Sequence, residues 1–145
     1  MNVKVKKLKD NAILPTYGTV GAAGADLYAC IDEKKVIAPG ETVMIPTGLA
    51  MEIPDGYAGL IYARSGMATK RGLAPANKVG VIDPDYRGEF MVALHNHSSV
   101  EQIVEPAERI AQLVITPFVK ADFEVTDELN SSHRGDGGFG HSGKF

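Results

Sequence analysis

At 145 residues, with 44% hydrophobic and 23% charged side chains, the chain has the make-up of one soluble globular domain, not of a disordered segment. A net charge of −3 provides no global basic field to recruit nucleic acid, so an anionic ligand needs a local cluster of donors. The lone Cys30 excludes an intrachain disulfide and fits a reducing cytoplasm; no apolar run is long enough to span a bilayer, and Met1 to Asp10 lacks a signal-peptide core.

Val3, Val5 and Leu8 alternate with lysines and predict a short strand with one buried face. Leu14-Pro15 and Gly18 predict a loop, followed by the small-residue stretch Gly21 to Ala25. Pro39-Gly40 and Pro54-Asp55-Gly56 are turn signals, since proline pre-sets one turn position and glycine accepts positive φ at another. Thr42 to Ile53 is β-branched and apolar but broken by Pro46 and Gly48, which predicts a bent or bulged strand. Tyr57 to Ala63 predicts another strand. Ser65 to Gly72 opens on a capping residue and closes on glycine after two cations, the pattern of one short helix with Ser65 as its N-cap. Val79 to Ile82 and Glu89 to Leu94 read as the arms of a hairpin around Asp83 to Gly88, and Glu105 to Ile115 as a strand closed by Pro117. Residues 1–129 form the predicted core domain. From Asn130 to Phe145, five glycines and no apolar period predict a mobile arm. Short strands divided by turns predict an all-β fold, a sandwich or distorted jelly roll with one short helix and a flexible C-terminal arm.

Four segments carry candidate chemistry, each with a bland alternative. Arg64-Ser65-Gly66 sets a guanidinium and a hydroxyl at a helix start, an arrangement suited to phosphate or simply a capped helix. Asp83 and Tyr86, bracketed by Gly80 and Gly88, can present a water-activating carboxylate and an aromatic wall, or form an ordinary Asp-Pro turn. On a strand, Gln112 shares a face with Ile110 and could reach a ligand, while Arg109 on the other face makes a structural ion pair. Arg134 to Gly143 can nest an anion and close Phe139 over a flat ligand, or remain a disordered tail. His95-Asn96-His97 places two imidazoles on one strand face without an evident third ligand, so a polar strand face is the favoured reading over a metal site.

Taken in order, Ala23 to Tyr28, Arg64 to Gly66, Gly80 to Gly88, Glu108 to Leu113 and Arg134 to Gly143 resemble the five motifs of the trimeric dUTP diphosphatase family, over essentially the whole chain. The resemblance implies a jelly-roll homotrimer with active sites at subunit interfaces, cleaving dUTP to dUMP and pyrophosphate with Mg²⁺. It implies Asp83 as the residue activating the attacking water and Tyr86 as the wall against the deoxyribose that excludes UTP. Uracil is paired by Asn77, by main-chain groups of Val81, Ile82 and Asp83 and around Met91. Arg64, Ser65, Gly66 and Gln112 hold the phosphates. Asp26 organises the Mg²⁺ water shell. Phe139 and Gly140 belong to the lid, with Arg134, His141 and Ser142 near the γ-phosphate. Ala63, Met67, Pro84 and His141-Ser142 depart from the usual pattern. Two rival readings are dCTP deaminase, which shares the fold, and a nucleotide-binding regulator of a protein partner.

Overall fold

The computed structural model describes residues 1–138, and three sheets account for its regular structure. A four-stranded sheet runs β1 (Lys4–Lys7), β5 (Thr42–Glu52), β9 (Glu89–Asn96), β7 (Leu73–Pro75). A five-stranded sheet runs β2 (Thr16–Tyr17), β3 (Ala25–Tyr28), β11 (Arg109–Pro117), β6 (Tyr57–Tyr62), β8 (Val79–Ile82). The pair β4 (Lys35–Ile37) and β10 (Gln102–Val104) completes a jelly-roll-like sandwich with a single helix, α1 (Ser65–Arg71). The all-β expectation is met. Its core draws Ile45, Leu49, Phe90, Val92 and Leu94 from one large sheet and Leu27, Ile61, Ile110 and Leu113 from the other. Each such side chain, fully buried, contributes about 1.5–3 kcal/mol.

The long β5 carries the predicted irregularity. Its register against β9 shifts between Pro46 and Ala50, where four steps on β5 face two on its partner. Gly48 sits there at φ +69°, and side chains replace the lost ladder bonds: Gly48 N–H donates to Glu89 Oε1 at 2.7 Å, and Thr47 Oγ1 donates to Phe90 O at 2.6 Å. The buried Asn96 is equally satisfied. Its Nδ2 donates to Ile37 O and Val100 O at 2.9 and 2.8 Å, and its Oδ1 accepts from Ser98 N at 2.9 Å.

Four local expectations are corrected. Strand β1 forms, but all four of its residues are exposed in the isolated chain, so its expected buried face is absent here. The cap of α1 is Arg64, in extended conformation and without a side-chain cap bond; Ser65 is already helical. The strands flanking Asp83 are not a hairpin, because β8 pairs with β6 in one sheet and β9 pairs with β5 and β7 in the other. Residues 83–88 therefore cross between sheets. Finally, a bulge between Arg109 and Ala111 breaks the face alternation of β11, so Ile110 and Ala111 are both buried and Gln112 does not share the face of Ile110.

Candidate functional site

The bulge in β11 brings Arg109 and Gln112 to the same neighbourhood, beside Asp26 of β3. Asp26 holds two guanidiniums at once: Arg64 Nε at 2.7 Å from Oδ1 and Arg109 Nη1 at 3.2 Å from Oδ2. The carboxylate is 13% exposed, while Arg109 is 52% exposed, so the Arg64 bond is the shielded one. Gln112 Nε2 donates to Ala63 O at 2.9 Å and thereby ties β11 to the residue preceding Arg64. Gly24 packs against the Gln112 amide so closely that a Cβ there would land on Oε1. Asp26, Arg64, Ser65, Gly66 and Gln112 line one open depression with Gly18, Ala22 and Gly24. Because Ser65 is not spent on capping, its hydroxyl is exposed and available beside these donors.

The crossover 83–88 forms a second cluster. Tyr86 N–H donates to Asp83 O at 3.2 Å, and Arg87 Nη1 donates to Pro84 O at 2.6 Å and Tyr86 O at 3.1 Å. The turn is thus held by backbone and by its own arginine. Tyr86 folds back on Gly88, its hydroxyl donating to Glu89 O at 3.0 Å and its ring tilted against Phe90 at 6.2 Å. A Cβ at Gly88 would strike that hydroxyl. Asp83, Tyr86, Val81, Ile82, Glu89, Met44 and Met91 line one depression, and Asn77, Gly80 and Ala93 extend it. Met44 and Glu89 carried no signal in the sequence. Met44 reaches the cluster only because it pairs with Ala93 across two strands distant in the chain.

These two clusters share no lining residue. Ile82 pairs with Gly59, so Asp83 stands beside Ala58, six residues from Arg64 along an extended chain. At the rise of a strand this is about 20 Å. A base and the donors serving one reacting atom need to converge to roughly 3 Å of it. A single copy of the chain therefore does not bring Asp83 and the Arg64 cluster onto one substrate atom.

After Pro117 there is no further strand or helix among the described residues, and residues 118–136 are exposed. Arg134 Nε donates to Gly137 O at 2.6 Å, and Arg134 is exposed. Phe139, Gly140, His141 and Ser142 lie outside the described residues.

Among the described residues no three His, Cys, Asp or Glu side chains converge as a metal cage. Both Asp26 oxygens already accept from guanidiniums, yet each retains a lone pair for a water. This donor set fits a hard cation that keeps its waters and is carried by a substrate's phosphates. It does not fit direct ligation by protein.

Comparison with known proteins gives one consistent result. The family model for dUTPase matches residues 10–143. The deoxyuridine 5'-triphosphate nucleotidohydrolase of Psychromonas ingrahamii is 54% identical over 132 residues, covering 90% of this chain and 87% of its own. That of Burkholderia cenocepacia is 46% identical over 145 residues, 99% of this chain and 98% of its own. The solved dUTPase of Staphylococcus bacteriophage 80alpha with dUPNHPP superposes at a TM-score of 0.89 with 31% identity, covering 98% of each chain.

Proposed function

Because this chain belongs to the dUTPase family and is a dUTP nucleotidohydrolase, we propose that it releases dUMP and pyrophosphate by water attack on the α-phosphorus, with Asp83 as the base. The carboxylate orients the water and takes its proton as the new P–O bond forms and the bond to the bridging oxygen breaks. Ser65 Oγ–H and the Gly66 main chain donate to the charge that develops on the leaving pyrophosphate, and Arg64, Gln112 and Arg134 hold the chain in line. Mg²⁺ carried by the triphosphate would supply charge neutralisation, and Asp26 would hold its water shell. Phe139, Gly140, His141 and Ser142 complete the set of substrate-binding residues.

The observation that carries this reading is the crossover between sheets, which gathers Asp83, Tyr86, Val81, Ile82 and Met91 around one depression extended by Asn77. Tyr86 there walls off the sugar, and the strand edge at Val81 and Ile82 with the Asn77 amide reads the base. The separation of about 20 Å along β6 between Asp83 and Arg64 supports an active site completed by another copy, in a homotrimer. Two further features favour such an assembly. Val119, Phe123, Val125 and Leu129 are 88–98% exposed on a stretch carrying Asp122, Glu124, Asp127 and Glu128, while the unpaired edge of β1 carries Lys4, Lys6 and Lys7.

The cellular role we assign is to keep dUTP low, limiting uracil in DNA, and to supply dUMP for thymidylate synthesis. The buried, unpaired Cys30 supports a reducing compartment such as the cytoplasm. No helix among the described residues is long and apolar enough to cross a membrane. The test is pyrophosphate release from dUTP, dCTP, dTTP and UTP, with and without Mg²⁺. We expect dUTP to be strongly preferred, turnover to need the metal, and Asp83→Asn to abolish it. Equal use of dCTP or UTP, or an active Asp83→Asn variant, would sink the assignment.

A further inference from the structure

The end of β9 and the residue that follows it carry a feature that the nucleotide site does not use. His95 and His97 stand two positions apart with Asn96 buried between them, so both imidazoles point away from the core. Their ring centroids are 4.3 Å apart, at 62°. His95 is further held by Thr42, the residue directly opposite it on β5, with Thr42 Oγ1 and His95 Nδ1 at 2.9 Å. Ring pairs at this distance can both reach one ion, since each metal–nitrogen bond is about 2.0–2.1 Å.

We infer that His95 and His97 form an open two-imidazole chelate for a borderline divalent transition ion such as Zn²⁺ or Ni²⁺, with Thr42 as the residue that orients it. When Nδ1–H donates to the Thr42 hydroxyl, the proton is fixed on that nitrogen and the Nε2 lone pair of His95 is left for the metal. Imidazole nitrogens select zinc-class ions, whereas the oxygen-lined Asp26 region suits Mg²⁺, so ligand chemistry separates this site from the substrate's cation. Among the described residues no third His, Cys, Asp or Glu joins the pair, so water or an external ligand fills the remaining positions. The positive charge of Lys78 near His97 opposes a dication, so the site is of modest strength.

The test is calorimetric titration of the metal-stripped full-length chain with ZnCl₂ and with NiCl₂, in the absence of nucleotide. One saturable event per chain is expected. His95→Ala and His97→Ala should each weaken it by at least about tenfold, and Thr42→Val by a few-fold. His133→Ala, in the exposed tail, should leave it unchanged. Mg²⁺-supported dUTP turnover in every variant reports that the fold is intact. Absence of saturable binding, wild-type binding by either His95→Ala or His97→Ala, or loss of binding in His133→Ala would overturn the site.

Discussion

Asp26 of β3 and Arg64, the cap residue of α1, are joined at 2.7 Å, Oδ1 to Nε, and the second oxygen of the same carboxylate holds Arg109 at 3.2 Å. One acidic group thus fixes the direction of two cations, one of which, Arg64, lines the depression with Ser65, Gly66 and Gln112. Removing its charge in Asp26→Asn should leave Arg64 unaimed and lower kcat/KM for dUTP by about 10–100-fold. Arg109→Ala removes only the more exposed bond and should cost no more than about fivefold. Steady-state pyrophosphate assays on the two variants check the ranking; a larger loss in Arg109→Ala would reverse it.

Ser65 separates a catalytic from a capping role. Since Arg64 occupies the cap position and no side chain caps α1, Ser65→Ala should change unfolding free energy by less than about 0.5 kcal/mol, where loss of a true N-cap costs about 1. Turnover should nevertheless fall by about 10²-fold. Urea melts and kinetics on one preparation read both. A destabilised variant with proportionally lost activity would mean the serine serves the helix.

A single methyl group at Gly88 tests the proposed role of Tyr86 in sugar discrimination. A Cβ there meets the Tyr86 hydroxyl and ring, so Gly88→Ala should displace the ring from its contact with Glu89 O. The expected outcome is a rise in UTP turnover relative to dUTP, with the helix and both sheets unchanged by circular dichroism. An unaltered UTP to dUTP ratio would remove Tyr86 from that role.

The separation of Asp83 from Arg64 makes a test by complementation possible. Asp83→Asn and Arg64→Ala should each be inactive alone. Mixed by joint refolding, they should regain activity at roughly a quarter of the sites if base and phosphate donors come from different copies. A site contained in one copy would regain none.

The Cys30 thiol supplies a pH signature. Burial is the largest influence and pushes its pKa up from the ordinary value of 9.0. A thiol whose folded pKa is raised keeps its full stabilising effect below the unfolded value, and that effect is lost as pH climbs from there through the folded value. Urea midpoints should therefore fall as pH rises above 9.0, and Cys30→Ala should flatten this limb. An identical alkaline slope in both proteins would assign it to other groups.

Much of this fold was legible because local rules and burial agreed. The bend in β5 followed from Pro46 and Gly48, and the turn at Gly56 from its positive φ. What escaped depended on partners distant in the chain. Val79 to Ile82 and Glu89 to Leu94 carry the alternation of hairpin arms, but alternation does not name the partner strand, and each joined a different sheet. The bulge at Ile110 moved Gln112 by one position relative to strict alternation, which no local signal marks. Short β4, β7 and β10, three residues each, are too brief to show a period. Of the site, Asp26, Arg64, Ser65, Gly66 and Gln112 were expected together and lie together. Arg134 was expected in the tail near the γ-phosphate; its side chain donates to Gly137 O within that tail.

The crossing at residues 83–88 leaves one sheet and enters the other, and Arg87 braces it from within. Its two ends are fixed in different sheets, packed about 10 Å apart, and the turn from Asp83 to Tyr86 takes up the rest of its length. A surface loop can be lengthened or shortened while its scaffold stands, but an insertion here would push the two layers apart or buckle the span. The position of Asp83 is thus tied to the packing of the two sheets. Changes in ligand preference at this depression are expected from the walls that face the span, such as Met44 and Glu89.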